Sequence, residues 1–320
     1  MGRGVKIALT YTILAFAVLA QASAQESGHL AMFWNLENFF DWKDGGGGGS
    51  DRDFSSSGNR HWTSKRFYAK CNAVAKSLLW IADGHGKLPD VVGFAEIENR
   101  DVLSRLINST ALCKTGYKII HYDSPDHRGI DVAMLWNPHT MELLSSKACR
   151  APGMETRDLL LVRMKELDSG REKAFITVHL PSKYGGGKTA WKREKAAARL
   201  REVADSVYSS GCMDITVMGD FNDTPDAEAF SVLGPLLVNV SEPLFRRGLG
   251  TIRFEGKWDL IDMFWVTSCY AGNVEMEIVN VPFLMVRDNV YSGEKPLRTY
   301  SGPRYLGGVS DHCPVLLKYW

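Results

Sequence analysis

The sequence predicts one α/β domain over residues 25–320, with a β-sheet core covered by helices. Short apolar runs rich in β-branched residues, such as 215–218, have the length and composition of buried strands. Longer segments with apolar residues at helical spacing, such as 190–208, lie between them without a strict alternation. The chain shows no internal repeat and no break in composition that would mark a second domain. Mixed strands and helices of this kind indicate a sheet with helices on its faces.

The first 24 residues are predicted to be an export signal. Arg3 and Lys6 precede an apolar stretch from residue 7 to residue 20, and the Ala-Ser-Ala sequence at 22–24 fits a cleavage site. The apolar stretch is short for a membrane span, which disfavours an uncleaved anchor. We therefore expect a mature chain that begins near Gln25 and is secreted or periplasmic.

The charge of the chain disfavours bulk electrostatic binding to nucleic acid. The sequence has 38 Lys and Arg residues against 37 Asp and Glu residues, and loss of Arg3 and Lys6 leaves the rest close to neutral. A neutral protein has no strong non-specific attraction for phosphate backbones, although a local basic patch is still compatible with this balance. No later segment is apolar enough to span a bilayer, and we expect a monomer without a stable protein partner.

Six cysteines lie in the predicted mature region, at positions 71, 113, 149, 212, 269 and 313. Export permits disulfides, but a domain of this size does not need them. No CxxC or Cys/His spacing typical of a structural zinc site is present. The sequence leaves the pairing of the cysteines open.

The elements follow from apolar periodicity and from helix and turn signals. Strands are predicted at residues 30–35, 90–95, 117–122, 130–136, 159–164, 174–180, 215–218, 251–254, 260–266 and 315–319. Helices are predicted at residues 64–84, 101–112 and 190–208, the first with Thr63 or Ser64 as its N-cap. The Gly/Ser/Asp-rich stretch 41–61 is predicted to be a flexible loop.

Polar side chains follow several of the predicted strands in a way that the fold alone does not require. The segments are FWNLEN, GFAEIEN, ITVHLPS, MGDFNDTP, DLIDMFWV and GGVSDHCPV. They contribute Asn35, Glu37, Glu96, Glu98, His179, Asp220, Asn222, Asp262, Asp311 and His312. Each of these taken alone is compatible with a helix cap, an exposed edge or a hydrogen-bonded core residue.

Taken together, these side chains indicate a site for phosphate-ester hydrolysis. Carboxylates without basic neighbours in sequence are costly to bury side by side unless a cation neutralises them. Carboxylate and amide oxygens suit a hard divalent ion such as Mg²⁺ or Mn²⁺, with Ca²⁺ also compatible. The two histidines add groups that can change charge near neutral pH. A metal offsets phosphate charge, while acids and histidines activate water and assist the leaving oxygen.

The motifs WNLENFF, GFAEIEN, RGIDVAMLW, VHLPS, MGDFNDTP, WDLIDMFWV and SDHCPV, in this order, resemble the endonuclease/exonuclease/phosphatase superfamily. The resemblance covers residues 29–320, and the ordered GDFN and SDH motifs are its most specific part. It implies a four-layer α/β sandwich with two mixed β-sheets packed face to face and helices on both outer faces. The site would lie at one rim of the sandwich.

The resemblance also implies a role for each position. Glu96 matches the principal metal carboxylate of the family. Asn35 and Asp311 match nearby metal or phosphate contacts, and Glu37 lies where some members have a second carboxylate ligand. Arg128 in HRGID is a candidate phosphate contact, with bracing of the following strand as the alternative.

The catalytic roles implied by the resemblance fall on five residues. Asp220 matches the acid that orients or deprotonates the attacking water, and Asn222 matches a phosphate contact. His179 matches a phosphate-binding or leaving-group histidine. His312 matches the histidine near the scissile phosphate, and Asp262 matches the buried acid that pairs with it.

The substrate is less well defined than the chemistry. The substrate that we expect is nucleic acid, and the chain would then be an endo- or exonuclease on DNA or RNA. Glu98 stands where deoxyribonucleases often carry a basic residue, which weakens a double-strand-specific interpretation. A sphingomyelinase-like phosphodiesterase or a small-molecule phosphatase is the alternative, since substrate choice within a fold resides in loops. A binding module without activity is disfavoured because every acid and histidine position is filled. Trp191 and Trp258 are expected to pack rather than to stack on bases.

Overall fold

The structure is a computed structural model, and it describes residues 28–183 and 189–320. The predicted export signal at 1–24 lies outside the described residues, so it stays a prediction. Within the two described ranges, none of the helices combines the length and the hydrophobicity that a membrane span requires.

The secondary structure is rich in strands. The strands of the described ranges are β1 (His29–Phe39), β2 (Val91–Ile97), β3 (Lys118–His121), β4 (Asp131–Trp136), β5 (Met141–Cys149), β6 (Leu159–Glu166), β7 (Glu172–His179), β8 (Ile215–Asp220), β9 (Leu237–Asn239), β10 (Ile252–Phe254), β11 (Lys257–Asp259), β12 (Asp262–Thr267), β13 (Val274–Ile278), β14 (Met285–Arg287), β15 (Glu294–Pro296), β16 (Tyr300–Ser301), β17 (Arg304–Tyr305) and β18 (Val315–Tyr319). The α-helices are Gly49–Asp53, Ser64–His85, Arg100–Asn108, Ala190–Ser209 and Glu242–Arg246. Short 3-10 helices span Ala111–Lys114, Glu228–Leu233, Ser268–Asn273 and Pro282–Leu284.

Most of the strands form two six-stranded sheets. The order is β13-β18-β1-β2-β4-β3 in the first sheet and β5-β6-β7-β8-β12-β9 in the second. Each sheet is mixed, because β1 and β2 run parallel in the first and β7 and β8 run parallel in the second, among antiparallel neighbours. The remaining strands form small hairpins such as β14–β15.

Three apolar cores separate four layers. The inner core lies between the two sheets and contains Phe33, Phe175 and Phe264. One outer core packs the helix Ser64–His85 on the first sheet, and the other packs the helix Ala190–Ser209 on the second. Because both faces of the central strands are buried, these strands read as continuous apolar runs rather than as alternating ones. The predicted four-layer sandwich is therefore confirmed.

The longest helix begins and ends where its sequence signals place it. Thr63 caps the start, since its hydroxyl oxygen accepts a hydrogen bond from the backbone N–H of Arg66. Gly86 follows the last helical residue with a φ of 70°, a left-handed conformation that favours glycine. The apolar stripe between these ends packs on the first sheet and includes Phe67, Val74 and Leu78.

Several regions differ from the sequence-based expectation. In the two large sheets the unpredicted strands are β5, β9 and β13, all of them sheet edges on which few side chains are buried and the apolar alternation is weak. The loop 41–61, predicted to be flexible, contains the helix Gly49–Asp53. The buried carboxylate of Asp51 anchors this loop by accepting the backbone N–H groups of Gly45 and Gly47 at 3.0 and 2.7 Å.

The six cysteines are free thiols in the structure. Cys113 and Cys269 are exposed, and the other four are buried. The three apolar cores pack the layers of the described fold together.

Candidate active site

The structure brings all the predicted site residues to one rim of the sandwich. They lie on the ends of strands or on the turns next to them, in both sheets, and each sheet contributes its half of the rim. From the first sheet come Asn35, Glu37, Glu96, Asp311 and His312, and from the second come His179, Asp220, Asn222 and Asp262.

Strand register sets three of these side chains next to one another. His179 in β7 is the registered partner of Asp220 in β8, and Asp220 is in turn the partner of Asp262 in β12. Residues in register on adjacent strands project from the same face of a sheet. Gly219 permits the close approach of β7 and β8, because a Cβ atom there would lie 2.2 Å from the carbonyl oxygen of Val178.

Asp220 is a deeply buried acid of the rim. Its Oδ2 accepts the side-chain amide of Asn35 at 2.9 Å, and its Oδ1 accepts the backbone N–H of Asn222 at 2.8 Å. Burial and the nearby charge of Asp262 raise the pKa of Asp220 to about 7, against the opposing effects of His312 and these hydrogen bonds. A carboxyl group with this pKa is suited to accept a proton from water near neutral pH.

His312 and Asp262 form the predicted contact. Nδ1 of His312 lies 2.8 Å from Oδ2 of Asp262, and both side chains are buried. Burial alone would lower the pKa of His312, but the charges of Asp262, Asp311 and Asp220 raise it well above its usual value. The ring is therefore protonated near neutral pH, with its Nε2 at 4.0 Å from Oδ2 of Asp220. This imidazolium can stabilise negative charge that develops in front of Asp220.

His179 has the opposite electrostatic environment. Burial and the charges of Arg157, Arg128 and His312 lower its pKa well below the usual value. Its Nε2 lies 3.5 Å from Oδ2 of Asp220, and because the ring is neutral this contact is not an ion pair near pH 7. Arg157 fixes the backbone next to it by donating to the carbonyl oxygens of His179 and Leu180 at 3.1 and 2.7 Å.

Backbone strain is concentrated at this rim. In the described ranges six non-glycine residues have a positive φ, and four of them are site residues or their neighbours: Glu37 (46°), Asn38 (52°), Glu96 (62°) and Asn222 (53°). Such conformations persist only where surrounding contacts hold them, and they are frequent at functional sites. The side-chain amide of Asn222 is held by a 2.9 Å hydrogen bond to the carbonyl oxygen of Leu180.

The three remaining carboxylates have basic partners that the sequence does not reveal. Glu96 accepts the guanidinium of Arg128 at 3.2 Å and the backbone N–H of Asn38 at 2.7 Å through the same oxygen, Oε2. Arg298 contacts both Glu37 and Asp311, at 2.8 and 3.0 Å. These acids have no basic neighbours in sequence, and the cations that they meet in the fold come from distant parts of the chain. Arg128 contacts Glu96 and Asn38, and its contact with phosphate stays a prediction.

Lys70 is a buried cation beneath the same cluster, and the sequence analysis missed it. Its ammonium group donates to the carbonyl oxygen of Glu37 at 2.7 Å and to the hydroxyl of Thr299 at 2.9 Å. Burial lowers the pKa of Lys70 to about 8, while the charges of Glu37, Glu96 and Asp311 oppose that change. A lysine on the apolar stripe of a helix, between Phe67 and Val74, is the signal that could have identified it.

The first sheet's half of the rim carries donor atoms of the type that a hard divalent ion prefers. The candidate donors are all oxygen atoms, from Glu96, Glu37, Asp311 and the side-chain carbonyl of Asn35. Burial and the adjacent charge of Asp311 raise the pKa of Glu37 to about 7, which is a repulsion that a bound cation would relieve. The metal roles of these four residues stay predictions.

Three groups of acids and histidines in the described ranges have potential ligand atoms within 4.8 Å of one another. The group at this rim is Asp220, Asp262 and His312. The others, His29 with Glu166 and Asp168 and His121 with Asp123 and Asp131, contain none of the predicted site residues.

A cleft of about 670 Å³ lies beside the site, and Arg128 is the predicted site residue in its lining. Arg128, Arg157 and Lys192 are among its lining residues, together with Trp191. Trp191 is 51% exposed, so about half of its surface is not packed against the protein. Trp258 is half-buried with the guanidinium of Arg253 at 6.0 Å from its ring, in line with the expected packing role.

Solved structures share this fold at low sequence identity. A D. rerio TDP2 humanized by 14 mutations matches with a TM-score of 0.59 and 16% identity, over 92% of this chain and 100% of that one. An endonuclease/exonuclease/phosphatase family protein of Bacteroides thetaiotaomicron matches with a TM-score of 0.59 and 14% identity, over 91% and 97%. The mannosyl-6-phosphatase of the same bacterium matches with a TM-score of 0.57 and 16% identity, over 90% and 98%. At these identities the matches establish the fold.

The family follows from the sequence itself. No curated protein sequence is significantly similar to the chain. The model of the Endonuclease/Exonuclease/phosphatase family, however, matches residues 30–319, a range that contains every residue of the site described above. The resemblance drawn from the motifs is confirmed, and the chain belongs to the endonuclease/exonuclease/phosphatase family of phosphoesterases.

Proposed function

We propose that the chain is an exported, divalent-metal-dependent phosphodiesterase that cleaves nucleic acid. The observation that carries the proposal is the buried Asp220, whose raised pKa of about 7 stands beside the protonated pair of His312 and Asp262. A base and an imidazolium on adjacent positions are what hydrolysis of a phosphate ester by water requires. The acids of the first sheet complete the site with oxygen ligands.

The chain's own residues divide the work. Asp220 orients the attacking water and accepts its proton, and its own position is fixed by Asn35 and by the backbone of Asn222. His312, protonated and held by Asp262, stabilises negative charge on the phosphate. The neutral His179 contacts a phosphate oxygen or the leaving group beside Asp220.

The metal proposal concerns the four oxygen donors of the first sheet. Glu96 is the principal ligand in this proposal, and Asn35, Glu37 and Asp311 are the family's further ligand positions, of which the last two already contact Arg298. Mg²⁺ or Mn²⁺ bound there would supply a Lewis acid that offsets the phosphate charge. Ca²⁺ is compatible with the same donors, although its preference for more ligands makes it the weaker candidate.

Two features of the cleft support a nucleic acid substrate. Lys192 places an exposed positive charge in the cleft of an otherwise near-neutral protein, whereas Arg128 and Arg157 in the same lining are paired with acids. Trp191 presents a half-exposed aromatic face on which a base can stack. A cleft open to solvent also suits a chain-like substrate better than a closed pocket would.

A small-molecule phosphomonoester is the second candidate. One of the matching structures is a mannosyl-6-phosphatase, so the same fold accommodates a sugar phosphate. A phospholipid headgroup, the third substrate class left open by the sequence, gains no specific support from the described surface.

A substrate panel tests the proposal. The purified mature protein is assayed on single-stranded DNA, duplex DNA, RNA, sphingomyelin vesicles and a sugar 6-phosphate, each with Mg²⁺, Mn²⁺, Ca²⁺ or a chelator. We expect cleavage of a polynucleotide that depends on Mg²⁺ or Mn²⁺ and is abolished by the chelator. Release of inorganic phosphate from the sugar phosphate alone would favour the phosphatase, and activity that survives the chelator would refute metal dependence.

A matched pair of variants assigns the activity to the site. Asp220→Asn keeps the shape of the side chain but removes its proton acceptor, and we expect a loss of about 10²–10⁴-fold in kcat. Asp226→Asn makes the same chemical change on the exposed part of the same turn and is expected to leave kcat unchanged. Equal losses in both variants would show that the effect is not specific to the proposed base.

A further inference from the structure

Arg298 occupies an unusual place between two acids of the rim. Its Nε and Nη2 atoms lie 2.9 and 2.8 Å from the same oxygen, Oε1 of Glu37. The Nη2 atom also lies 3.0 Å from Oδ2 of Asp311. The guanidinium thus bridges two carboxylates that come from opposite ends of the chain.

Both oxygens of Glu37 accept hydrogen bonds, and the one that faces Asp311 is held by the guanidinium of Arg298. Oε1 is taken by Arg298, and Oε2 accepts the backbone N–H of Thr299 at 3.1 Å. A divalent ion bound between Glu37 and Asp311 would need the oxygens that the guanidinium holds. Arginine cannot yield these positions by losing its proton, because its guanidinium stays charged at any accessible pH.

Glu96 differs in this respect. Both of its partners, Asn38 and Arg128, bind the single oxygen Oε2. Among the described residues Oε1 of Glu96 accepts no hydrogen bond, so one carboxylate oxygen is available to an ion.

The local charge balance leads to the same conclusion. The three carboxylates Glu37, Glu96 and Asp311 act together on the pKa of both Lys70 and Arg298. With Arg128 on Glu96, the chain supplies one positive charge for each of the three negative ones. The charges of this cluster are therefore balanced before any metal ion binds. One divalent ion adds positive charge to the cluster, and a second divalent ion would be strongly repelled by the lysine and the two arginines.

We propose that Arg298 is a built-in cation that takes the place of a divalent ion between Glu37 and Asp311 and so limits this rim to the ion at Glu96. The inference rests on the proposed function for its metal chemistry. It makes a claim that turnover does not measure, namely that removal of the guanidinium opens one additional divalent-ion site.

The test counts bound Mn²⁺ ions without any substrate. Free Mn²⁺ is followed by electron paramagnetic resonance while the intact mature protein is titrated. We expect the number of bound ions to rise by one from the wild type to Arg298→Gln. The added ion should be lost again when Glu37→Gln is combined with Arg298→Gln, since its ligand is then missing.

Two control variants isolate the role of the guanidinium. Arg298→Lys keeps a positive charge beside both acids and should bind the same number of ions as the wild type. Arg60→Gln removes an arginine from the neighbouring pocket, where it lies over the rings of Phe54 and Tyr300 and touches neither acid, and should also leave the number unchanged. Arg298→Ala replaces Arg298→Gln in the titration if the latter does not fold.

The result that overturns the proposal is an equal number of bound ions in the wild type and in a folded variant without the guanidinium. A wild type that already binds an ion through both Glu37 and Asp311, shown by loss of one ion in Glu37→Gln alone, overturns it as well. A wild type that binds no Mn²⁺ refutes the proposed metal dependence instead, because the claim about Arg298 concerns only the difference between the two counts.

Discussion

The buried pair of His312 and Asp262 offers a quantitative test of the proposed chemistry. The two side chains contact each other at 2.8 Å, and they are 7% and 0% exposed. Asp262 has one role in the proposal, which is to hold the imidazolium of His312 in place. Asp262→Asn, His312→Gln and the double variant therefore form a cycle in which the two single changes should report the same lost function.

The expected magnitudes follow from the loss of a charged group facing the reaction. Each single variant should lose about 10²–10⁴-fold in kcat, which corresponds to about 3–5 kcal/mol at 1.36 kcal/mol for each factor of ten. The kcat of the double variant should lie within about tenfold of the kcat of the less active single variant, because the effects of residues that act as a unit are strongly non-additive. The coupling energy is then nearly as large as either single effect.

The assay is kcat on the substrate that the panel identifies, with the melting temperature of each variant measured in parallel. His29→Gln is the matched control, since His29 also contacts a buried acid, Asp90, with 3.3 Å between Nδ1 and Oδ2, and it lies at the other end of β1 from Asn35. We expect the control to change stability without changing kcat. Fully additive losses in the cycle, or a folded His312→Gln with normal kcat, would show that the pair does not act as a catalytic unit.

Three further predictions concern the metal, the opposite rim and the amino terminus. Glu96→Gln should weaken Mn²⁺ binding by at least about tenfold while the fold persists, and an unchanged titration would contradict its role as a ligand. At the opposite rim, burial lowers the pKa of His29, but the charges of Asp90, Glu166 and Asp168 outweigh burial and raise this pKa above 6.5. Burial raises the pKa of Asp90, but the hydrogen-bond partners of Asp90 outweigh burial and hold its pKa below 3.8. The stabilising effect of His29 should thus be complete below pH 6.5 and fade as the pH rises through its folded-state pKa, while that of Asp90 fades only as the pH falls below 3.8. Melting temperatures of the wild type and of His29→Gln should accordingly converge at alkaline pH, and a constant difference would argue against the linkage. Mass spectrometry of the exported protein should find an amino terminus near Gln25, whereas an intact Met1 would count against the predicted signal.

The sequence could predict which residues meet at the rim because each of them lies in a local pattern. Asp220 and Asn222 follow an apolar run and precede a proline, and His312 lies directly before the last strand. Each polar strand end of this kind can be recognised in the sequence by itself, and the family motifs show in which order these strand ends occur along the chain. The pairing of His312 with Asp262, 50 residues away, could be predicted for the same reason.

The cations of the rim could not be found in this way. Arg298 meets Glu37 across 261 residues of sequence, and nothing around it in KPLRTYSG distinguishes it from a surface arginine. Lys70 lies on a helix whose pattern predicts only packing against a sheet. Partner choice over such separations is decided by the packing of whole layers, which local periodicity does not encode.

The order in which the site is assembled follows from the pairing of the first described strand with the last. β1 lies between β18 and β2 in the first sheet, with His29 opposite Tyr319. The hydroxyl of Ser310 donates to the carbonyl oxygen of Asn35 across 275 residues, and the indole of Trp34 donates to the carbonyl oxygen of His312. A growing polypeptide that lacks residues 310–319 has therefore neither the imidazolium nor the strand that closes the sheet, whatever the state of its other layers. The candidate site is therefore complete only when residues 310–319 have taken their place beside β1.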